Sequence, residues 1–184
     1  MKKIILLSLV VVATFVSCKK NEGSEKENLS AKDSTEVKQD TVFTITLNAT
    51  VLKDDSFQVY FKNGETGKYE EANSLFTEFK GSDKPQDIVF RLPDGVIPDY
   101  IRMDFGVNKE QTEVKVNSFK MSYFGKEFKT NNASEFFKLI LVEPKTATVD
   151  VENGIIKPIT IGDNHDPLGT SEKRLYDEIQ KIVK

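Results

Sequence analysis

Residues 42–51 read VFTITLNATV, and the pattern of these ten residues indicates the fold class of the chain. Apolar residues occupy every second position from Phe43 to Val51, while threonine and asparagine fill the positions between them. An alternation with a period of two places the apolar side chains on one side of an extended chain. The pattern therefore predicts a β-strand with one face in a core and the other toward solvent.

The same period of two recurs along most of the chain that follows. It predicts strands within residues 57–61, 88–92, 100–105, 114–123, 128–129, 146–151 and 155–161. The compact apolar run at 136–142 predicts a strand buried on both sides, whereas residues 66–81 are expected to be irregular. Asn153 and Gly154 predict a hairpin turn between the last two strands.

The alternation changes its parity once, within the predicted strand at 114–123. Val114 and Val116 share one parity, whereas Phe119 and Met121 share the other. A buried face keeps its parity unless one extra residue is inserted, so the sequence predicts a β-bulge near residues 117–118.

The last segment has a helical period instead. Leu175, Ile179 and Ile182 recur at i, i+4 and i+7, and Thr170 or Ser171 is available as the N-cap. We expect one helix there.

Many short strands, turn signals between them and one terminal helix predict a mainly β fold. The expected architecture is an antiparallel β-sandwich, jelly-roll-like, over residues 41–169, with a short C-terminal helix over 170–184. An open barrel is the structural alternative.

Composition excludes several classes of site. The 184 residues include one histidine and one cysteine, which excludes a disulfide framework, a cysteine-based zinc site and a multi-histidine metal site. The net charge of -3 argues against nucleic acid as the main partner.

Residues 1–17 have the features of an export signal. Lys2 and Lys3 precede an apolar run, which is shorter than the roughly 20 residues a membrane-spanning helix needs. The run ends at Phe15-Val16-Ser17-Cys18, which resembles a bacterial lipobox, although the usual leucine is replaced by Phe15. The resemblance implies that Cys18 is acylated, with palmitate-type chains, and begins the mature protein. A plain secretory signal with a chance cysteine is the alternative.

The lipobox also implies a location. A lipoprotein is anchored in the cell envelope by its acyl chains. In a Gram-negative host, Lys19 after the cysteine favours the outer membrane, with the domain facing the periplasm or the cell surface. Residues 18–40 are polar almost throughout, which predicts a disordered tether between lipid and domain, with a short helix as the alternative.

Four segments carry a resemblance to a known kind of domain. They read DSFQVYF at 55–61, DIVFRLP at 87–93, YIRMDFG at 100–106 and VKVNSF at 114–119. Over residues 42–125 the chain is similar to carbohydrate-binding, galactose-binding-like sandwich domains of cell-envelope proteins. The resemblance implies the same fold, with glycan as the class of ligand.

The predicted ligand site lies on the polar parity of one strand. Tyr100, Arg102 and Asp104 alternate with apolar residues, so they should project from one face of the sheet. An arginine and an aspartate beside an aromatic ring suit sugar hydroxyls, with Tyr60 and Tyr123 as further platforms. A surface ion pair with a structural tyrosine is the alternative, and the absence of tryptophan from the sequence weakens the sugar interpretation.

A second loop offers oxygen ligands for a cation. Asp163, Asn164 and Asp166 flank the only histidine, His165, and could hold a structural calcium ion. A polar surface turn is the alternative, and no other cofactor is expected.

These observations favour a lipid-anchored, non-catalytic binding or assembly module of the cell envelope. Its expected partners are the membrane, through the lipid, and a glycan or another envelope protein. The alternative is a glycan-hydrolysing enzyme with a carboxylate pair drawn from Glu70, Glu71, Asp94, Asp99 and Asp104.

Overall fold

A computed structural model describes residues 41–184 of the chain. The predicted signal peptide at 1–17, the predicted acylation site Cys18 and the predicted tether at 18–40 lie outside the described residues.

Within residues 41–184 the chain forms two antiparallel sheets, with α-helix in two short segments. The elements in chain order are β1 (Thr44–Val51), β2 (Asp55–Lys62), β3 (Ser74–Phe79), β4 (Gln86–Arg91), β5 (Tyr100–Asp104), β6 (Val114–Tyr123), β7 (Lys126–Lys129), α1 (Ala133–Phe136), β8 (Ile140–Val142), β9 (Ala147–Asp150), β10 (Ile155–Pro158), β11 (Leu168–Ser171) and α2 (Lys173–Val183). A 3-10 turn at Glu71–Asn73 precedes β3. The predicted mainly β, sandwich-type fold with a C-terminal helix is confirmed.

The first sheet has the strand order β4-β1-β6-β10-β9. Its sixth strand, β7, also pairs with β6. The second sheet has the order β3-β2-β5-β11-β8. Successive strands often belong to different sheets, so the chain crosses the core repeatedly and most pairings join segments distant in sequence.

The core lies between the sheets and is rich in phenylalanine. Phe105, which follows β5 of the second sheet, packs edge-on against Phe136 of α1 with 6.3 Å between ring centroids. Phe136 in turn lies 5.8 Å from Phe119 of β6 in the first sheet. All three rings are fully buried, so α1 supplies a ring that links the two sheets across the core.

Two sequence predictions about the strands are confirmed. Asn48 pairs with Ser118 and the next residue, Ala49, pairs with Val116, so Asn117 is the extra residue of a β-bulge. Gly154 has a φ of 76° and closes the connection between β9 and β10.

Three expectations about residues 136–142 and 66–81 are wrong. Residues 136–142 are not one strand, because Asn132 caps α1 by accepting a hydrogen bond from the Glu135 N–H, and β8 begins only at Ile140. Nor is β8 buried on both sides, since Leu141 is 58% exposed. The region 66–81, expected to be irregular, contains strand β3.

The C-terminal helix starts later than expected. Ser171 belongs to β11, and its hydroxyl accepts a hydrogen bond from the Ile101 N–H at 2.9 Å, so it does not cap α2. The N-cap is Glu172, which makes no side-chain capping bond. Leu175 and Ile179 of α2 are fully buried, and the helix lies against β6, β7 and β11, so it packs on both sheets.

Neither helix within residues 41–184 has the length and apolar character needed to cross a membrane.

Candidate functional site

The outer face of the second sheet gathers three of the predicted ligand-binding residues. On β5, Ile101 and Met103 are buried in the core, which leaves Arg102 on the opposite face. Arg102 pairs with Tyr60 of β2, and the next outward residue, Asp104, pairs with Gln58.

Arg102 is held by two carboxylates and one ring. Its Nε and Nη2 donate to the two carboxylate oxygens of Asp104 at 2.6 and 2.7 Å. Nη2 also lies 3.3 Å from a carboxylate oxygen of Asp166, in the loop before β11. The guanidinium carbon sits 4.8 Å from the centroid of the Tyr60 ring, a cation–π distance. The guanidinium is therefore fixed in position and orientation.

A third carboxylate, that of Glu71, lies on the Tyr60 side of this group. The Tyr60 hydroxyl donates a hydrogen bond to Glu71. The Gln58 amide donates to Glu71 at 3.1 Å and to the Ser74 hydroxyl at 2.9 Å. These bonds tie the 3-10 turn that carries Glu71 to the face of β2. We call the six residues Gln58, Tyr60, Glu71, Arg102, Asp104 and Asp166 the Arg102 cluster.

Burial and charge set the protonation of this cluster. Burial raises the pKa of Asp104 to about 6, although the hydrogen bond and charge of Arg102 act in the opposite direction. Burial, followed by the hydrogen bond to Glu71, raises the pKa of Tyr60 to about 12. The hydrogen bond from Tyr60, followed by that from Gln58, lowers the pKa of Glu71. At neutral pH, Tyr60 is therefore a hydroxyl donor and Glu71 an ionised acceptor.

Polar atoms of the cluster remain open to a ligand. The Arg102 side chain is 24% exposed and that of Asp166 is 44% exposed. Arginine has five N–H donors, and among residues 41–184 the Nη1 nitrogen of Arg102 makes no hydrogen bond. The exposed site thus offers guanidinium donors beside the carboxylate acceptors of Asp166 and Glu71.

An exposed aromatic side chain lies beside the cluster. Phe76 of β3 is 60% exposed and pairs with Gln58, which itself pairs with Asp104. Adjacent strands are about 4.8 Å apart, so Phe76 and Asp104 stand roughly 10 Å apart along one row. At the other edge of the sheet, two strands from β5, Leu141 of β8 is 58% exposed. The face is therefore polar in its middle and apolar at both edges.

Four residues of this site, Gln58, Glu71, Phe76 and Asp166, were not among the predicted ligand-binding residues. Phe76 lies in the region that was expected to be irregular, and the structure places it in β3 with its side chain outward. Neither the Tyr60–Glu71 contact nor the Arg102–Asp166 contact has a signal in the linear sequence.

Two tyrosines that were predicted to contact the ligand pack against other aromatic side chains instead. Tyr100 stacks on Tyr176 of α2 with 5.6 Å between centroids, so its ring joins the helix to the sheet. Tyr123 belongs to β6 of the first sheet, where it packs on Phe43 at 6.1 Å. The structure therefore does not bring Tyr123 to the Arg102 cluster.

The predicted calcium ligands point to separate partners. Asp163 accepts from the Lys109 ammonium at 3.0 Å, and Asp166 faces Arg102. Asn164 exchanges backbone hydrogen bonds with Ile161, which closes a turn. Across residues 41–184, no three histidine, cysteine or acidic residues form a group that could hold a metal ion. The calcium site stays a prediction without support from this geometry.

Comparisons with protein-family models, with curated proteins and with solved structures find no match to this chain.

Proposed function

We propose that this protein is a lipid-anchored, non-catalytic module of the bacterial cell envelope that binds glycan on the outer face of its second sheet. The observation that carries the proposal is the row Phe76–Gln58–Asp104, which sets an exposed ring beside the Arg102 cluster. A sugar ring presents an apolar face and a rim of hydroxyls. Phe76 suits the apolar face, while Arg102, Asp166 and Glu71 suit the hydroxyls.

The rigidity of the site supports binding. Arg102 is already held by Asp104 and lies over Tyr60, so a ligand would not have to order its long side chain. Avoiding the loss of side-chain entropy on binding favours affinity. Each buried hydrogen bond to a charged group contributes about 1.5–3 kcal/mol net. We expect affinities on the order of millimolar to micromolar.

Both oxygens of Asp104 are engaged by Arg102, which favours binding over the alternative of glycan hydrolysis. A glycosidase needs one carboxyl group free to protonate the leaving oxygen and a second to act as nucleophile or base. Asp99, another predicted member of such a pair, accepts a hydrogen bond from the Gly64 N–H at 2.8 Å, away from the cluster.

The lipid anchor fits a weak binder. Each buried CH2 of an acyl chain contributes about 0.8 kcal/mol to membrane attachment, so two or more chains on Cys18 would hold the protein on the envelope. Many copies on one surface would bind a repeating glycan with an avidity above that of a single site. In a Gram-negative host we place it in the outer membrane.

A glycan array probed with the purified full chain tests the binding proposal. We expect binding to a defined set of glycans that is lost in Phe76→Ala and retained in Leu52→Ala, since Leu52 is similarly exposed at 53% but lies between β1 and β2. Release of new reducing ends from a bound glycan would support the hydrolase instead. If no glycan on the array is bound and the protein instead captures one envelope protein from membranes, the ligand is a protein and not a glycan.

A further inference from the structure

The outer face of the first sheet carries a polar pocket that the proposed function does not use. The cavity is about 310 Å³ and is lined by Thr46, Asn48, Asp87, Ser118, Lys120 and Lys129. Ile45 and Leu47 of β1 are fully buried in the core, which sets Thr46 and Asn48 on the outward face. This volume lies at the lower end of the range for small-molecule sites, and it suits a ligand of about one sugar unit.

One end of the pocket is cationic. Lys120 of β6 pairs directly with Lys129 of β7. Like charges on opposed positions of neighbouring strands destabilise a sheet. Among residues 41–184, neither ammonium has an acidic partner within ion-pair distance. An anion between the two lysines would remove this repulsion.

Two hydroxyls lie next to the lysines. Thr46 pairs with Lys120 across β1 and β6, and Ser118 is two residues before Lys120 on the same strand. Thr46 is only 7% exposed, and within the described chain neither its hydroxyl nor that of Ser118 makes a side-chain hydrogen bond. Both hydroxyls are therefore free to donate to or accept from the oxygens of a ligand in the pocket.

The other end of the pocket is anionic. Asp87 of β4 accepts a hydrogen bond from the Asn48 amide at 2.6 Å through one of its oxygens. Its charge opposes a bare inorganic anion, whereas its remaining acceptor capacity suits a hydroxyl group. The pocket thus selects a ligand with an oxyanion at one end and hydroxyls at the other.

We infer that this pocket binds an acidic sugar, with its carboxylate between Lys120 and Lys129 and its hydroxyls toward Asp87. The site is independent of the Arg102 cluster, because it lies on the other sheet and shares no residue with it. Loss of one site should therefore leave the other intact.

Amide chemical-shift titration of the purified full chain with D-glucuronate tests the inference. We expect shifts centred on residues 46–48 and 118–120, which D-glucose does not produce. The double variant Lys120→Gln/Lys129→Gln should bind at least about tenfold more weakly, since a charged hydrogen bond is worth about 1.5–3 kcal/mol and 1.4 kcal/mol is tenfold. The control Lys126→Gln removes the same charge from the start of β7 and should bind as the wild type does.

Three results would overturn the inference. They are equal shifts with D-glucose, unchanged affinity in the double variant, and shifts of the pocket amides with inorganic sulfate but not with D-glucuronate. Competition between sulfate and D-glucuronate for the same amides would support it. Shifts at residues 58–60 and 102–104 report on the Arg102 cluster, so failure of the two proposals can be told apart.

Discussion

The guanidinium carbon of Arg102 lies 4.8 Å from the ring centroid of Tyr60, and the two residues occupy paired positions on β5 and β2. The same guanidinium makes a two-bond ion pair with Asp104, which is only 8% exposed. Arg102 therefore neutralises a carboxylate that the fold has largely removed from water, and replacing it with alanine would leave that charge unpaired. Tests of binding at this site need milder substitutions.

Asp104 should make stability depend on pH in an unusual direction. Burial raises its pKa to about 6 from 3.8, so the folded state binds the proton more tightly than the unfolded state. The preferential protonation of the folded state therefore stabilises the protein fully below about pH 4, and this stabilisation is lost as the pH rises through about 6. We expect urea unfolding of Asp104→Asn to lack this fall relative to the wild type.

The exposed Asp94→Asn, in the turn after β4, is the control for the pH series. It should retain the wild-type fall. If the free energy of unfolding of the wild type changes between pH 4 and pH 6 in parallel with that of Asp104→Asn, the raised pKa of Asp104 is contradicted.

Deletion of Asn117 should prevent folding. This residue is the bulge that changes the inward parity between Val116 and Phe119. Removing it turns one half of β6 so that its apolar side chains face solvent. Circular dichroism and thermal unfolding measure the loss.

Asn117→Ala is the matched control, because it keeps the residue count. The Asn117 side-chain nitrogen is buried without a hydrogen-bond partner in the described chain, so alanine should cost less than about 1 kcal/mol. A deletion variant that unfolds at the same temperature as the wild type would rule out the bulge.

Gly154 should tolerate alanine much less than Gly95 does. Both have positive φ, at 76° and 77°, which costs an alanine about 1 kcal/mol. A Cβ on Gly95 would meet nothing within 4 Å, whereas on Gly154 it would clash with the Val116 carbonyl oxygen and approach the Ala133 Cβ to 2.7 Å. We expect a further loss of about 1–3 kcal/mol for Gly154→Ala in urea unfolding. Equal losses for the two variants would show that the turn can move away from β6.

Cys18→Ser should release the protein from the membrane, since acylation requires the thiol. Mass spectrometry of the N-terminus and detergent partitioning measure this outcome. An unmodified mature chain that begins anywhere other than Cys18 would exclude the lipoprotein assignment.

The two sheets could be predicted because their signals are local. Alternation from Phe43 to Val51 defines a strand within one segment, and the parity change around Asn117 defines the bulge in the same way. Strand β3 was missed because Phe76 is apolar on the outward parity and Thr77 is polar on the inward parity, which breaks the alternation of apolar and polar residues.

The site was predicted only in part because its contacts are tertiary. Tyr60, Arg102 and Asp104 share one face by strand parity and pairing, which a sequence can suggest. Asp166 reaches Arg102 across 64 residues of chain, and that approach depends on where β11 pairs. Phe76 acquires its place beside the cluster through the pairing of β3 with β2, which no local pattern specifies.

Glycan binding at the Arg102 cluster is tested by titrating the tightest array glycan against wild type, Phe76→Ala and Tyr60→Phe, with Leu52→Ala as the control. Tyr60→Phe keeps the ring beneath Arg102 and removes the hydroxyl that engages Glu71, so it changes the site without unpairing Asp104. The account predicts that Phe76→Ala weakens binding by about tenfold or more, that Tyr60→Phe also weakens it, and that Leu52→Ala binds as the wild type does. Unchanged affinity in both Phe76→Ala and Tyr60→Phe, with both variants folded, would contradict a glycan site on the outer face of the second sheet.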